Sequence, residues 1–86
     1  MTIFEVIDEI KEKIDYRNWV LTELKRFEAK YGLITVDFIE KWQTNKIIEP
    51  EDHITLEEFL EWDGLAESLT KVENELKELE DRIRAS

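Results

Sequence analysis

The residues best suited to chemistry lie in the middle of the chain. His53 stands beside Glu51 and Asp52, with Glu49 close by. An imidazole among carboxylates is the beginning of a divalent-ion site. No second histidine exists to complete it, and Pro50 occupies the place where the glutamate of a di-iron Glu-x-x-His pair would stand. The stretch therefore reads as a solvated acidic loop with a surface histidine, and neither a metal nor a cofactor is expected. Glu57, Glu58 and Glu61 form a second carboxylate group. Acid–base catalysis needs a carboxylate of shifted pKa inside a concave pocket. A two-layer helical chain of 86 residues offers little volume for one. With no cysteine, no glycine-rich phosphate loop and no Ser–His–Asp spacing, the expectation is a protein that is not an enzyme.

The more informative pattern is the mixture of acids and large apolar residues over 48–67. Glu49, Glu51, Asp52, Glu57, Glu58, Glu61, Asp63 and Glu67 face one nearby base, Lys46. Among them lie Ile48, Ile54, Leu56, Phe59, Leu60, Trp62 and Leu65. Acids around apolar anchors make a binding hot spot with an electrostatic rim. The same apolar residues serve equally well as a core packed on another helix, because core and interface stripes share one spacing.

The elements that must position these residues are helices. Thr2 and Glu5 form a capping-box pattern, and Ile3, Ile7, Ile10, Ile14, Leu21, Leu24 and Tyr31 follow at alternating spacings of four and three, interrupted by Arg17 and Glu28. Phe4, Val6, Trp19, Val20 and Phe27 widen this stripe, enough for contact with more than one neighbour. Gly32 stands where a C-terminal glycine belongs, so the first helix is predicted over 3–31. Thr35 can cap a short helix over 36–45, with Val36, Ile39 and Trp42 on one side and Phe38 beside them. Pro50 interrupts helix formation. Thr55 and Glu58 make a second capping-box pattern, and Leu65, Leu69, Val72, Leu76, Leu79 and Ile83 continue a third helix over 56–84. Gly64 lies inside it, marking a bend or a place where another backbone comes close.

The predicted fold class is all-α: one domain over 1–86, with two long helices in an antiparallel hairpin and a short helix in the connection. The hairpin stands alone or pairs with a second copy as a homodimer. The alternative is an open form whose helices order only on a partner. So short a chain buries only about 60% of its unfolded surface, which favours association.

Charge narrows the partners. The net charge is −10, of which residues 1–43 carry −2 and residues 44–86 carry −8. Such a balance opposes direct contact with nucleic acid and with anionic membrane surfaces. The polar face of residues 3–21 is itself acidic, unlike that of an interfacial membrane helix. No apolar run reaches the length of a bilayer span, the N-terminus lacks the basic flank of a signal peptide, and the absence of cysteine fits the cytoplasm.

Three segments together resemble a known group of proteins. Leu24-Lys25-Arg26-Phe27-Glu28-Ala29-Lys30-Tyr31-Gly32 resembles the aromatic-Glu-x-Lys-Tyr-Gly end of a helix in small archaeal and bacterial proteins. Thr35-Val36-Asp37-Phe38 stands where these have a short Ser-x-x-Phe helix, and Glu49 to Asp52 supplies their acidic stretch. Glu61-Trp62-Asp63-Gly64-Leu65 is similar to the Glu-Trp-x-x-Leu that opens their long charged helix. The group is the antitoxin components of type II toxin–antitoxin pairs, and the resemblance spans about residues 20–80. The chain departs from the pattern at Thr35, at Lys46-Ile47-Ile48 and at Gly64.

The resemblance implies an acidic helical protein that covers the active surface of a small, basic toxin. On that reading Glu57, Glu58, Glu61 and Asp63 meet toxin bases, and Phe59, Trp62 and Leu65 are buried anchors. Trp62→Ala would then raise the dissociation rate and leave the helix content unchanged. The alternative function is a structural or scaffolding protein that homodimerises through its heptad-like stripes.

Overall fold

The computed structural model describes residues 2–85. It contains three helices: α1 over Ile3–Tyr31, α2 over Thr35–Gln43 and α3 over His53–Ala85. The long helices run antiparallel. Lys30 meets Glu58 at one end, and Lys13 forms an ion pair with Glu75 further along. The molecule measures 51 × 21 × 18 Å.

Each helix boundary has a local cause. The Thr2 hydroxyl accepts a hydrogen bond from the Glu5 amide at 3.2 Å and starts α1. Gly32 ends it in the left-handed region, φ 69°, its amide donating to the Glu28 carbonyl at 2.9 Å. A side chain at this φ would be strained, which is why glycine stands here.

The short helix starts one residue earlier than its sequence suggests and ends two earlier. Ile34 occupies the cap position and has no hydroxyl to offer. The Glu28 carboxylate, reaching across from α1, accepts from the Thr35 amide at 2.7 Å instead. At the other end Asn45 adopts φ 58°, and the Lys46 amide donates to the Lys41 carbonyl at 2.8 Å. This is the six-to-one closure of a helix whose C′ residue is asparagine.

The third helix begins at His53, three residues before the predicted start, because Asp52 and not Thr55 is its cap. Asp52 Oδ2 accepts from the Thr55 amide at 2.9 Å and from the Thr55 hydroxyl at 2.7 Å. These bonds, the hydroxyl's first, hold the Asp52 carboxyl below its ordinary pKa. Glu58 cannot complete a capping box with Thr55, since Lys30 and Tyr31 occupy its carboxylate.

The core lies at the end of the hairpin that α2 covers. Val20, Leu24 and Phe27 of α1, Phe38 of α2, and Phe59, Trp62 and Leu65 of α3 form one buried cluster. Trp62 and Phe38 stack with ring centroids 3.8 Å apart and planes 2° from parallel. Phe27 and Tyr31 add further stacked rings, and Phe59 meets Phe38, Tyr31 and Trp42 edge-on. Both arrangements suit the quadrupoles of aromatic rings.

The seam of α1 lies on the widened side of the predicted stripe and not at its centre. Val6, Val20 and Phe27 point inward with Leu24, and Lys13 occupies the same seven-residue row. Ile3, Ile7 and Leu21 remain exposed. The predicted stripe also contained Arg17 and Glu28. Rotating the helix toward Val6, Val20 and Phe27 brings Lys13 to the seam, where the aliphatic stem packs and the ammonium reaches Glu75. The seam of α3 follows its predicted spacing, with Leu65, Val72, Leu76 and Leu79 buried.

Candidate binding surface

The seven residues expected to contact a partner fall into three groups. Phe59, Trp62 and Leu65 are core residues; Trp62 is 0% exposed. Its indole N–H donates to the Thr35 hydroxyl at 3.0 Å, which satisfies the polar atom that burial would otherwise leave orphaned. These three hold α1, α2 and α3 together and are not surface anchors in this fold.

Glu58 belongs to the same internal structure. It accepts from Lys30 Nζ at 2.6 Å and from the Tyr31 hydroxyl at 2.6 Å. Asp63 is half-buried at the edge of an apolar groove of about 350 Å³ between α2 and α3, shared with Val36, Ile39 and Leu69. Its Oδ1 is buried and has no hydrogen-bond partner among the described residues. Of the seven, Glu57 and Glu61 are the two that lie exposed.

The Glu58 contacts give stability a defined pH dependence. Its carboxyl is held below the ordinary glutamate range, first by the hydrogen bond from Lys30 and then by that from Tyr31. A depressed folded pKa contributes stability above the unfolded value, and this is lost as pH falls through the folded one. The Lys30 ammonium is pushed up chiefly by its bond to Glu58, and the Tyr31 phenol chiefly by burial. A raised pKa contributes stability below the unfolded value, and this is lost as pH rises through the folded one. Glu58→Gln is therefore expected to lower stability most near neutral pH. In urea titrations its difference from the wild type should shrink both in acid and in strong alkali. A difference independent of pH would mean that the ion pair carries none of it.

What gathers on the outward face of α3 is a different set. Leu60 is 54% exposed; Glu57, Asp63 and Gly64 adjoin it at helical spacings of three and four, Glu61 follows it in the chain, and Glu67 lies two turns on. Ile54, at the start of α3, and Ile48, in the loop before it, are also exposed, by 67% and 91%. Leu60 escaped selection because Phe59, Trp62 and Leu65 are larger and closer to the motif. The available signal was its position, off the three–four rows that form the seam.

Gly64 contributes an opening to this face. Apart from its chain neighbours and the backbone of its own helix, no atom lies within 4 Å of the position its Cβ would take. Internal packing therefore does not demand glycine, which in a helix costs about 1 kcal/mol relative to alanine. Gly64→Ala is expected to stabilise the free protein by about that amount, raising its melting temperature by about 4–8 °C. A thermal melt followed by circular dichroism checks this; an unchanged or lower midpoint would show that the glycine relieves some internal crowding.

Among the described residues, no group of three or more histidines, cysteines or acids is placed to hold a metal ion. His53 is exposed at the first turn of α3. No described helix is long and apolar enough to cross a membrane. Comparison with protein-family models, with curated proteins and with solved structures finds no match for this chain.

Proposed function

We propose that this protein is an antitoxin-like binding protein that neutralises a small, basic toxin by laying the outward face of α3 over its active surface. The supporting observation is the exposed Leu60 with Glu57 and Asp63 one turn away and Glu67 two turns on, in the half of the chain that carries a net charge of −8. Glu57, Glu61, Asp63 and Glu67 steer a basic partner and speed the encounter, while Leu60, Ile54 and Ile48 set the lifetime of the complex. The notch at Gly64 lets a partner's backbone approach the helix. Phe59, Trp62 and Leu65 take part only by keeping α3 rigid, and Glu58 by tying it to α1.

The reading assigns the chain no catalytic residue and no cofactor. Its net charge of −10 disfavours direct contact with nucleic acid, so competition with a basic toxin's polyanionic substrate is the mode of action. The test is co-expression with each small basic protein encoded beside it. One of them should arrest growth alone and be silenced by this chain, through a stoichiometric complex that weakens as salt rises. A neighbourhood with no growth-arresting basic protein, or a complex indifferent to salt, would overturn the reading.

A further inference from the structure

The hairpin is longer than the helix that covers it. Glu28 of α1 and Trp62 of α3 both reach Thr35, so they mark the side of the hairpin on which α2 lies. Steps of seven residues, two helical turns, keep to that side. From Glu28 they lead to Leu21, Ile14 and Ile7 on α1; from Trp62 they lead through half-buried Leu69 to Leu76, which is buried in the seam, so the uncovered row belongs to α1. Beyond the end of α2 this row continues as an apolar face, with Leu21 36% and Ile7 38% exposed and Ile3 and Ile10 beside them.

We propose that this uncovered face is the contact surface of a homodimer, in which two hairpins pack face to face. The chain's surface area supports a second copy as the occupant. It is 6386 Å², whereas a compact monomer of 10.4 kDa would expose about 5,400 Å². The excess of about 1,000 Å² matches the roughly 800 Å² that each partner contributes to a standard stable interface.

Charge points the same way. Arg17 lies within the face, in the row of Ile10 and Leu24, and its Nε is buried with no hydrogen-bond partner among the described residues. A basic partner would meet an unpaired cation there. An acidic one is favoured, and this chain carries a net charge of −10. Phe59, which touches Trp42 of α2, leads by steps of seven to Ala66, Glu73 and Glu80. Each copy thus presents a cation inside the face and carboxylates along its edge, and the second copy supplies the acceptor that Arg17 lacks. The outward face around Leu60 lies elsewhere on α3, so dimerisation leaves it open.

Sedimentation equilibrium over about 10–200 µM tests this, a range in which a standard interface of micromolar or tighter affinity is populated. The wild-type protein should show twice its chain mass of 10.4 kDa. Leu21→Glu and Ile7→Glu should each sediment as monomers with undiminished helix content, and Leu60→Glu should stay dimeric. Added salt should leave the dimer in place, because the contact is chiefly apolar and the Arg17 pair lies inside it, where screening is weak. A monomer at every concentration would overturn the proposal. So would dimers that persist in both Leu21→Glu and Ile7→Glu, or a dimer that dissociates in salt.

Discussion

Trp62→Ala is expected to unfold the three-helix end of the molecule, with a loss of about 3–5 kcal/mol, the usual cost of removing a buried tryptophan. A domain of this size has only about 5–15 kcal/mol in total, so the melting temperature should fall by about 12–40 °C. Two losses combine at this site. The indole stacks on Phe38 at 3.8 Å and adjoins Phe27, Tyr31 and Phe59, so its removal leaves a cavity inside the aromatic cluster. The Thr35 hydroxyl at the start of α2 also loses the indole N–H.

Trp62→Phe separates these effects, since it keeps a ring on Phe38 and gives up the hydrogen bond. It should stay folded and lose about 1–2 kcal/mol. Circular dichroism and urea titration of both variants measure the difference. A fully helical, stable Trp62→Ala would show that the residue is an exposed anchor after all, as the sequence alone allowed. The structure reverses that expectation: the helix content should fall, and any change in partner binding should follow from lost structure.

Charge reversal on the outward face of α3 has the second large effect. Glu57→Lys with Glu61→Lys places two cations beside Leu60, where the proposed function puts a basic partner. Like charges across an interface cost several kcal/mol, so affinity should fall by at least about 100-fold, mostly through slower association at low salt. Both positions are solvent-exposed, so stability should move by no more than about 0.5 kcal/mol. Leu60→Ser should instead act on the dissociation rate. Surface-bound toxin, with the variants flowed over it at two salt concentrations, distinguishes the cases. An unchanged association rate for the double reversal would remove α3's outward face from the interface.

Much of the architecture was legible because its signals are local and periodic. Gly32, Pro50 and the three–four spacing of α3 announce two long helices, and their separation implies a hairpin. The boundaries that differ were set by residues distant in sequence or by competing side chains. Glu28 caps α2 from another helix, which no local pattern at Ile34-Thr35 could reveal. Asp52 outcompetes Thr55 as a cap because it lies nearer the end of the loop and because Glu58 is engaged by Lys30 and Tyr31.

The candidate site was legible by region and not by residue. The acidic, apolar stretch around 48–67 does supply the outward face. Within it, however, α3 must choose which side to bury. Phe59, Trp62 and Leu65 bury against α1 and α2 because Phe27, Tyr31 and Phe38 offer them matching rings. Leu60, which has no ring to meet, is left outside. On α1 the widened stripe contains the buried Val6, Val20 and Phe27, but spacing alone does not show that Lys13 enters the seam, where an acid, Glu75, stands opposite.

The unequal cover along the hairpin also bears on how the molecule moves. At one end three helices lock around fused aromatic packing; at the other, a two-helix seam holds Val6, Val72, Leu76 and Leu79 without a third layer. Cooperative unfolding units tend to follow such differences in contact density. The aromatic end therefore behaves as a pivot, and the far ends of α1 and α3 as the arms of tweezers. In the single hairpin, backbone amides near the pivot are expected to exchange with solvent only when the whole domain opens, and those near Val6 and Leu79 through a spreading of the arms that leaves the pivot, and the face around Leu60, intact.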